Sequence, residues 1–353
     1  MTQTSLPEFH AALTERGAVS NPGEGRTVPD SFGDVKEEFH ALKTSAGVVY
    51  RSDASRIEHN GADALDLLHR LSTNDLLSLE LCSARRTVLT SDRGRVIDVF
   101  TVVHRGPGRL LLLSGAADPT PLVEWVDRYT IVEDAELKDI SNQTVQLAVT
   151  GPAAGEVARA VAGDSVAGFN QDEYSSAELA GVTVEVLRTD SPGLPAWEFI
   201  VPAEDASAVW DALVTAGARP AGRAAYEALR IERGVPAYGL ELTEKINPLE
   251  AGLMPLISFT KGCYVGQEVV ARLDTYDKVQ RRLVSLVSDG PLKPGEPLTA
   301  DGRDVGWVSS SVQSPASSEH MGLGFVRKGF FDAGMNLKAE SGTVTVVEFP
   351  VDD

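Results

Sequence analysis

The order of predicted strands and helices changes once along the chain, after Tyr276, and this change constrains the fold more than any other feature. Before that point, apolar strand patterns alternate with amphipathic helix patterns in two successive units that meet near residue 140. The two units show no sequence repeat. Such an order favours two ferredoxin-like modules over a doubly wound parallel sheet. The sequence therefore predicts an α+β protein with two interleaved ferredoxin-like modules.

The predicted domains follow from the same change. Residues 276–353 contain short, mostly polar strands that are broken by glycine and Asp-Gly turns, a spacing typical of a small β-barrel. Residues 31–275 form the α+β region in this interpretation. Residues 1–30 are rich in Gly, Pro, Ser and charge around NPGEGRTVPD, and they predict a flexible N-terminal lead-in.

Charge and cysteine content exclude several classes of protein. The 353 residues carry a net charge of -19, which opposes binding to nucleic acids and to anionic membrane surfaces. The chain has two cysteines, Cys82 and Cys263, so neither a disulfide framework nor a metal site of several thiolates is expected. No apolar run reaches the length of a membrane span, and the N-terminus lacks the pattern of a signal peptide. We therefore expect a cytoplasmic protein.

The segment KGCYVGQEVVAR, residues 261–272, combines a lysine, a cysteine and a predicted helix start. Two glycines indicate a tight turn around Cys263, and the helix pattern begins near Gln267. A thiol near a helix N-terminus and a lysine loses its proton more readily than a free cysteine does. The alternative is that Cys263 is a small buried side chain that packs the turn. Cys263 and Lys261 are thus candidate catalytic residues.

This motif resembles the KGCYVGQE signature of the YgfZ-type folate-binding proteins, which are relatives of the aminomethyltransferase (T-protein) of the glycine cleavage system. The preceding segment, residues 229–253, is similar to the segment that leads into the lysine motif in both branches of that superfamily. The similarity is traceable from about Gly47 into the C-terminal region. It implies a central cleft between the domains that binds tetrahydrofolate or another reduced folate.

Asp98 interrupts an apolar strand pattern in RVIDVFTVV. Strict alternation would place Asp98 with Val96 and Phe100 on one face, where an unpartnered carboxylate would be costly. The resemblance assigns Asp98 to the aspartate that acts on the folate in aminomethyltransferases. A tyrosine expected upstream in those transferases is Arg86 here. The alternative is a hydrogen-bonded aspartate at a sheet edge.

Two further residues of the folate pocket are implied by the resemblance. Glu198 lies in the strand pattern AWEFIVP, on the face opposite Trp197 and Phe199, and matches a folate-contacting glutamate. A carboxylate can accept two parallel hydrogen bonds from the pterin ring. Arg230 matches a residue that binds a carboxylate or holds a ligand-binding glutamate. The alternatives are an exposed strand residue for Glu198 and an i, i+3 ion pair with Glu227 for Arg230.

One histidine also has a predicted environment. The helix pattern ADALDLLHRL places Leu65, Leu68 and Leu71 on one apolar face. His69 lies off that face, so we interpret it as an exposed helix residue rather than a metal ligand.

The resemblance implies a tetrahydrofolate-binding protein that supports iron–sulfur cluster assembly or repair through Cys263. Iron–sulfur proteins or their assembly factors would be transient clients, and one thiolate could be only a temporary cluster ligand. The first alternative is a tetrahydrofolate-dependent aminomethyltransferase that uses Asp98, and the second is a folate-binding partner protein without turnover. Enzymatic activity is therefore left open. On the main interpretation we expect no aminomethyl transfer, and a defect in iron–sulfur enzymes when Cys263 is removed.

Overall fold

The computed structural model describes residues 6–20, 28–51, 54–317 and 319–349. The helices in these ranges are α1 (Leu6–Glu15), α2 (Val35–Thr44), α3 (Ala64–Leu71), α4 (Thr120–Asp127), α5 (Ala154–Ala162), α6 (Asp164–Ala167), α7 (Ala206–Thr215), α8 (Arg223–Glu232) and α9 (Gln267–Thr275). None of these helices is long and apolar enough to cross a membrane.

The strands of the described residues are β1 (Gly47–Tyr50), β2 (Ser55–Asn60), β3 (Ala84–Thr90), β4 (Val96–Gly106), β5 (Arg109–Ser114), β6 (Glu136–Asp139), β7 (Thr144–Thr150), β8 (Tyr174–Leu179), β9 (Val182–Thr189), β10 (Ala196–Pro202), β11 (Arg219–Ala221), β12 (Arg281–Ser288), β13 (Pro297–Ala300), β14 (Arg303–Gln313), β15 (His320–Arg327), β16 (Asn336–Ala339) and β17 (Gly342–Val347). They form two open sheets and one closed barrel. The predicted α+β fold with a C-terminal barrel is confirmed.

The first open sheet has the strand order β3-β4-β5-β2-β6, and its neighbours are antiparallel. Helices α3 and α4 cover one face, because their leucines and valines repeat at helical spacing and pack on apolar residues of β2, β4 and β5. The buried stripe of α3 includes Leu67, Leu68 and Leu71, whereas Leu65 is only partly buried.

The exposed environment predicted for His69 is wrong. His69 is buried at the end of α3, where its Nδ1 accepts hydrogen bonds from the backbone N–H groups of Leu76 and Leu77. Burial is the main cause that lowers the pKa of its imidazole. The loop after α3 folds back over this side chain, which the helical periodicity alone could not reveal.

The second open sheet has the order β11-β1-β7-β10-β9-β8. Strand β1 precedes the whole first sheet in the chain, yet it pairs with β7 and β11, so the two modules are interleaved. Helix α1 packs on this sheet with α5 and α7, and it buries Phe9 and Leu13 completely. The predicted flexible lead-in is therefore wrong for residues 6–15, because two apolar side chains one helical turn apart anchor them. Residues 1–5 and 21–27 of that prediction lie outside the described residues.

The uncovered faces of the two sheets meet each other. Ala84, Val103 and Leu113 of the first sheet pack against Leu187 and Ile200 of the second. The guanidinium of Arg105 on β4 reinforces this contact, since it pairs with Glu58 of the first sheet at 3.0 Å and with Glu185 of the second at 2.6 Å. Side chains that point between the sheets therefore come from both modules.

The barrel closes in the order β12-β15-β14-β13-β16-β17 around its own core, which includes Leu286, Leu298 and Val308. A second apolar cluster joins the barrel to the first sheet: Leu323 and Phe325 pack with Val88 and Val99. The barrel thus forms a third wall beside the two sheets, which positions the segment before it, residues 235–275, next to the hairpin β3–β4.

Candidate functional site

The KGCYVGQE loop lies against the tip of the hairpin β3–β4. Gly266 has a φ of 87°, and a Cβ there would approach the carbonyl oxygen of Ser91 to 2.4 Å, so only glycine fits. The hydroxyl of Thr90 donates to the carbonyl of Val265 at 2.6 Å, which ties the loop to the end of β3. Helix α9 begins at Gln267, as predicted. The thiol of Cys263 is exposed, and the packing alternative is therefore wrong.

The side chain of Lys261 ties its loop to the end of α3. Its ammonium donates to the backbone carbonyls of His69 in the last turn of α3 and of Ser72 and Asn74 just after it. These bonds use all three N–H donors and satisfy carbonyl groups that the helix end leaves unpaired. Burial lowers the pKa of Lys261 to about 8. No hydrogen bond joins Lys261 to Cys263 among the described residues, so the catalytic role of both stays a prediction.

Asp98 lies on β4 opposite Leu89, close to the same hairpin tip. Its side chain is 1% exposed, and burial raises its pKa to about 7. The carboxylate is held in place, because Ser114 donates to Oδ2 at 2.6 Å and the backbone N–H of Val99 donates to Oδ1 at 2.7 Å. These bonds, and the charge of Arg86, limit the rise of the pKa. The result is a fixed carboxyl group that changes charge near neutral pH.

The strict alternation predicted around Asp98 is wrong. The register between β3 and β4 shifts next to Leu89, so Ile97 packs with Phe100 against the helices, while Val96 packs on the side of the barrel. A β-bulge places one extra residue on the bulged strand and redirects the side chains beside it. The bulge gives Asp98 an environment that a two-residue period cannot predict.

Arg86 on β3 shares a strand face with Ala84, which packs between the two sheets. Its side chain is exposed to solvent, yet surrounding protein desolvates it enough to lower its pKa. A side chain that is accessible yet surrounded by protein atoms lies in a concave part of the surface. The guanidinium of Arg86 makes no hydrogen bond or ion pair with any described residue, while its backbone carbonyl accepts a bond from the side-chain amide of Asn74 at 2.9 Å. We call this concavity the cleft, and define it by Arg86 and by Asp98 and Tyr226, whose charges act on the Arg86 guanidinium.

The second module closes the cleft. Arg51, which follows β1, donates to the hydroxyl of Tyr226 on α8 at 2.5 Å, and its charge lies near enough to Arg86 to lower the pKa of that guanidinium. Tyr238 lies near Asp98. Burial raises the pKa of Tyr238, and the charge of Asp98 adds to this rise. Sequence reasoning missed Arg51, Tyr226 and Tyr238, because no local pattern brings such distant residues together.

Glu198 lies on the face of β10 that looks toward the first sheet. It shares this face with Ile200, while Trp197 and Phe199 face the helices, as alternation predicted. The carboxylate is 4% exposed and accepts a hydrogen bond of 3.0 Å from the amide of Gln146 on β7. The exposed-residue alternative for Glu198 is therefore wrong. The neighbouring Arg51 binds the carbonyl of Gln146 through its backbone N–H at 2.9 Å, so Glu198 lies on the Arg51 side of the cleft.

Arg230 on α8 lies at the junction with the barrel rather than in open contact with the cleft. Its guanidinium binds Glu227 at 2.7 Å, Glu241 at 3.2 Å and the hydroxyl of Ser310 on β14 at 2.9 Å. A further bond to the carbonyl of Val235 and the bond from Nε to Glu227 occupy the remaining donors. The structure thus contains the predicted i, i+3 pair and adds a buried pair to Glu241. A contact between Arg230 and ligand stays a prediction.

Comparison with known proteins places these observations in a family context. The GCVT N-terminal domain family matches residues 9–261, and the glycine cleavage T-protein C-terminal barrel domain matches residues 281–351. An aminomethyltransferase of Geobacillus kaustophilus is 32% identical over 332 residues, covering 92% of this chain and 91% of the relative. A putative chloroplastic transferase of Arabidopsis thaliana is 33% identical over 317 residues, covering 88% of this chain and 71% of the relative.

A solved structure has the same fold. The aminomethyltransferase T of the glycine cleavage system of Bartonella henselae superposes with a TM-score of 0.85 at 19% sequence identity. The match covers 97% of this chain and 96% of that protein. The two proteins therefore share the arrangement of two sheets and a barrel.

Proposed function

Because the chain belongs to the glycine cleavage T-protein family, whose curated relatives include aminomethyltransferases, we propose that it is a tetrahydrofolate-dependent aminomethyltransferase. One observation carries this proposal: Asp98, buried beside the cleft, has a carboxyl group with a pKa of about 7. Such a group can take up and release a proton at neutral pH. The proposal adopts what was the alternative in the sequence-based interpretation.

The described residues suit a reduced folate. Glu198 offers carboxylate oxygens on a buried strand face, and the pterin ring offers a ring N–H and an amino group as parallel donors. The neighbouring apolar residues Leu113 and Ile200 suit the flat faces of an aromatic ligand. The folate would supply the nitrogen that receives the one-carbon unit.

Asp98 would then act on the proton of that nitrogen. As the nitrogen forms its bond to the aminomethyl carbon, the bond from that carbon to the carrier breaks and its electron pair leaves with the carrier. The nitrogen loses its N–H proton, which a carboxylate within hydrogen-bond reach can accept, and closure to methylenetetrahydrofolate then releases ammonia. The bonds from Ser114 and Val99 fix the carboxylate before the ligand binds, so little reorganisation is needed. Asp98 is therefore the residue that we assign to proton transfer, and Ser114 is a positioning residue.

A second candidate function is the one implied by the KGCYVGQE motif, a YgfZ-type role in iron–sulfur cluster assembly or repair. The observation that favours it is the exposed thiol of Cys263 in a loop that is fixed at two points. Lys261 binds a backbone carbonyl just after α3, and the hydroxyl of Thr90 on β3 binds the carbonyl of Val265. Aminomethyl transfer needs no nucleophilic sulfur. In this candidate, iron–sulfur proteins or assembly factors are transient partners of the thiol, and Arg86 in place of the tyrosine marks a changed pocket.

Folate binding tests the premise that both candidates share. We expect the wild type to bind tetrahydrofolate and Glu198→Gln to bind it about 10- to 100-fold more weakly, because a charge-assisted bond becomes a neutral one. Isothermal titration calorimetry measures both affinities. Glu178→Gln, at an exposed glutamate of β8, is the matched control and should bind as the wild type does. Absence of binding to the wild type would refute the folate assignment.

The role of Cys263 separates the two candidates. We expect Cys263→Ala to form methylenetetrahydrofolate from an aminomethylated carrier protein at the wild-type rate, and to restore iron–sulfur enzyme activities in a deletion strain as well as the wild type does. Cys82→Ala is the control, because Cys82 is the other exposed cysteine. If purified wild type shows no aminomethyl transfer and Cys263→Ala fails to restore a cluster-dependent dehydratase, the second candidate replaces the first.

A further inference from the structure

Gln146 has a buried amide group that is only half satisfied. Its side chain is 4% exposed on β7, and its Nε2 donates to Oε2 of Glu198 at 3.0 Å. Its Oε1 is buried and has no hydrogen-bond partner among the described residues. A buried acceptor without a donor costs free energy, so a native protein keeps one only for a reason.

A 180° rotation of the Gln146 amide would not satisfy its hydrogen-bonding groups better. Exchanging Oε1 and Nε2 would turn the amide oxygen toward the Glu198 carboxylate, and two acceptors repel each other. The side chains of Ala148 and Ile200 lie on the same sheet face and carry no donor. The orphan oxygen is thus held beside Glu198 by the same bond that orients the carboxylate.

We infer that Gln146 is a second pterin-recognition residue, whose Oε1 accepts a hydrogen bond from the 2-amino group of the folate. This inference rests on the proposed folate binding. The amino group has two hydrogens: one pairs with Glu198 together with the ring N3–H, and the other points away from the carboxylate and needs an acceptor. Gln146 lies at that position if the amino group faces Oε2 of Glu198, the oxygen that Gln146 contacts.

The positions of donors and acceptors along its edge also set the orientation of the pterin ring. At the other end of the paired edge, the pterin carries the carbonyl O4, which is an acceptor. A reversed ring would place O4 against Oε1 of Gln146, and the two oxygens would repel each other. Oε1 of Gln146 and the carboxylate of Glu198 are both acceptors, so together they favour the ring direction that turns the 2-amino group toward Gln146, and they favour 2-amino heterocycles.

The test combines a variant with a ligand that lacks the amino group. Gln146→Met has nearly the same length and no polar partner for the ligand. We expect it to bind tetrahydrofolate about tenfold more weakly than the wild type, a loss of about 1.4 kcal/mol. With 2-desamino-2-methyl-tetrahydrofolate as the probe, wild type and variant should bind alike, because the donor is absent. Ser309→Ala is the control, since the Ser309 hydroxyl on β14 is also buried without a partner among the described residues and lies in the barrel.

Three results would overturn the inference. Equal tetrahydrofolate affinity of wild type and Gln146→Met would mean that water, not ligand, satisfies Oε1. An equal loss for both ligands would mean that Gln146 acts only by orienting Glu198. A wild type that does not bind tetrahydrofolate would instead defeat the proposed function itself. Gln146→Leu provides a second variant, and thermal unfolding followed by circular dichroism confirms that each variant is folded.

Discussion

Asp98→Asn is expected to lower the folate-dependent transfer rate by roughly 10²–10⁴-fold, the usual contribution of a positioned proton-transfer group. Asparagine has nearly the same shape and can keep the bond from the backbone N–H of Val99, so the loss would reflect the missing carboxylate. The wild-type rate should rise with pH through about 7, because the carboxylate is the form that accepts a proton and the pKa of Asp98 is about 7.

Ser114→Ala tests the direction in which the pKa of Asp98 moves. The hydrogen bond from Ser114 lowers the pKa of Asp98. Ser114→Ala should therefore move the midpoint of the pH–rate profile to higher pH while leaving measurable activity. Single-turnover rates for the wild type and the two variants, measured across the neutral range, test both expectations. A rate for Asp98→Asn close to that of the wild type would exclude Asp98 from proton transfer.

Asp98→Asn should lower the transfer rate but raise the stability of the fold at neutral pH. The folded state keeps Asp98 protonated up to a pH of about 7, whereas the unfolded chain ionises it near its ordinary value of 3.8. Between these values the folded state binds more protons, so this group makes stability fall as the pH rises. Asp98→Asn removes that loss: it should match the wild type near pH 4 and be more stable, by an amount on the order of a few kcal/mol, above pH 7.

Urea unfolding at both ends of this pH window measures the difference. Asp66→Asn is the matched control, because Asp66 is an exposed carboxylate in an i, i+4 pair with Arg70 and its loss should cost less than about 1 kcal/mol. If Asp98→Asn is less stable than the wild type at about pH 8, the carboxylate is not destabilised by burial, and the raised pKa is wrong.

Arg230→Met is expected to destabilise the fold by about 3–5 kcal/mol, the usual effect of removing one partner of a buried ion pair. Glu241 is 0% exposed, and its carboxylate would lose the guanidinium while keeping the bonds from Ser310 and the backbone N–H of Ala237. Because Arg230 joins α8 to the barrel strand β14, the barrel contact should loosen as well. Chemical denaturation gives the free energy of unfolding.

Two comparisons separate this effect from a role in ligand binding. Arg159→Met breaks an exposed pair with Asp164 and should cost less than about 1 kcal/mol. The double variant Arg230→Met/Glu241→Leu should recover part of the lost stability, because no buried charge then remains unpaired. A variant Arg230→Met that is as stable as the wild type but has lost tetrahydrofolate affinity would contradict the structural role and support the predicted contact with ligand.

Local sequence patterns predicted the parts of the protein that depend on nearby residues. The start of α9 at Gln267 followed from two glycines and the helix signal after them, and the φ of Gly266 shows why glycine is needed. The faces of β10 followed from alternation, because this central strand is regular and apolar on its helix-covered side. The barrel followed from the spacing of short strands and turns.

Other features depended on residues that are distant in the chain. The bulge beside Asp98 arises from pairing with β3 and breaks the period that the sequence suggested. Lys261 binds carbonyl groups 187 to 192 residues earlier in the chain, and no pattern near the motif could indicate that its donors are occupied. Helix α1 docks because the second sheet offers an apolar surface, to which strands from both ends of the α+β region contribute.

By itself the sequence indicated most of the secondary structure elements and the fold class, and the family resemblance marked two carboxylates, Asp98 and Glu198. Tertiary structure alone decided which groups surround them: the guanidinium of Arg86 in the cleft, the Arg51–Tyr226 pair and the orphan oxygen of Gln146. The physical reason is that charge and hydrogen bonding act through space. Burial raises the pKa of Asp98 only after distant parts of the chain have enclosed it, and no short stretch of sequence contains that enclosure.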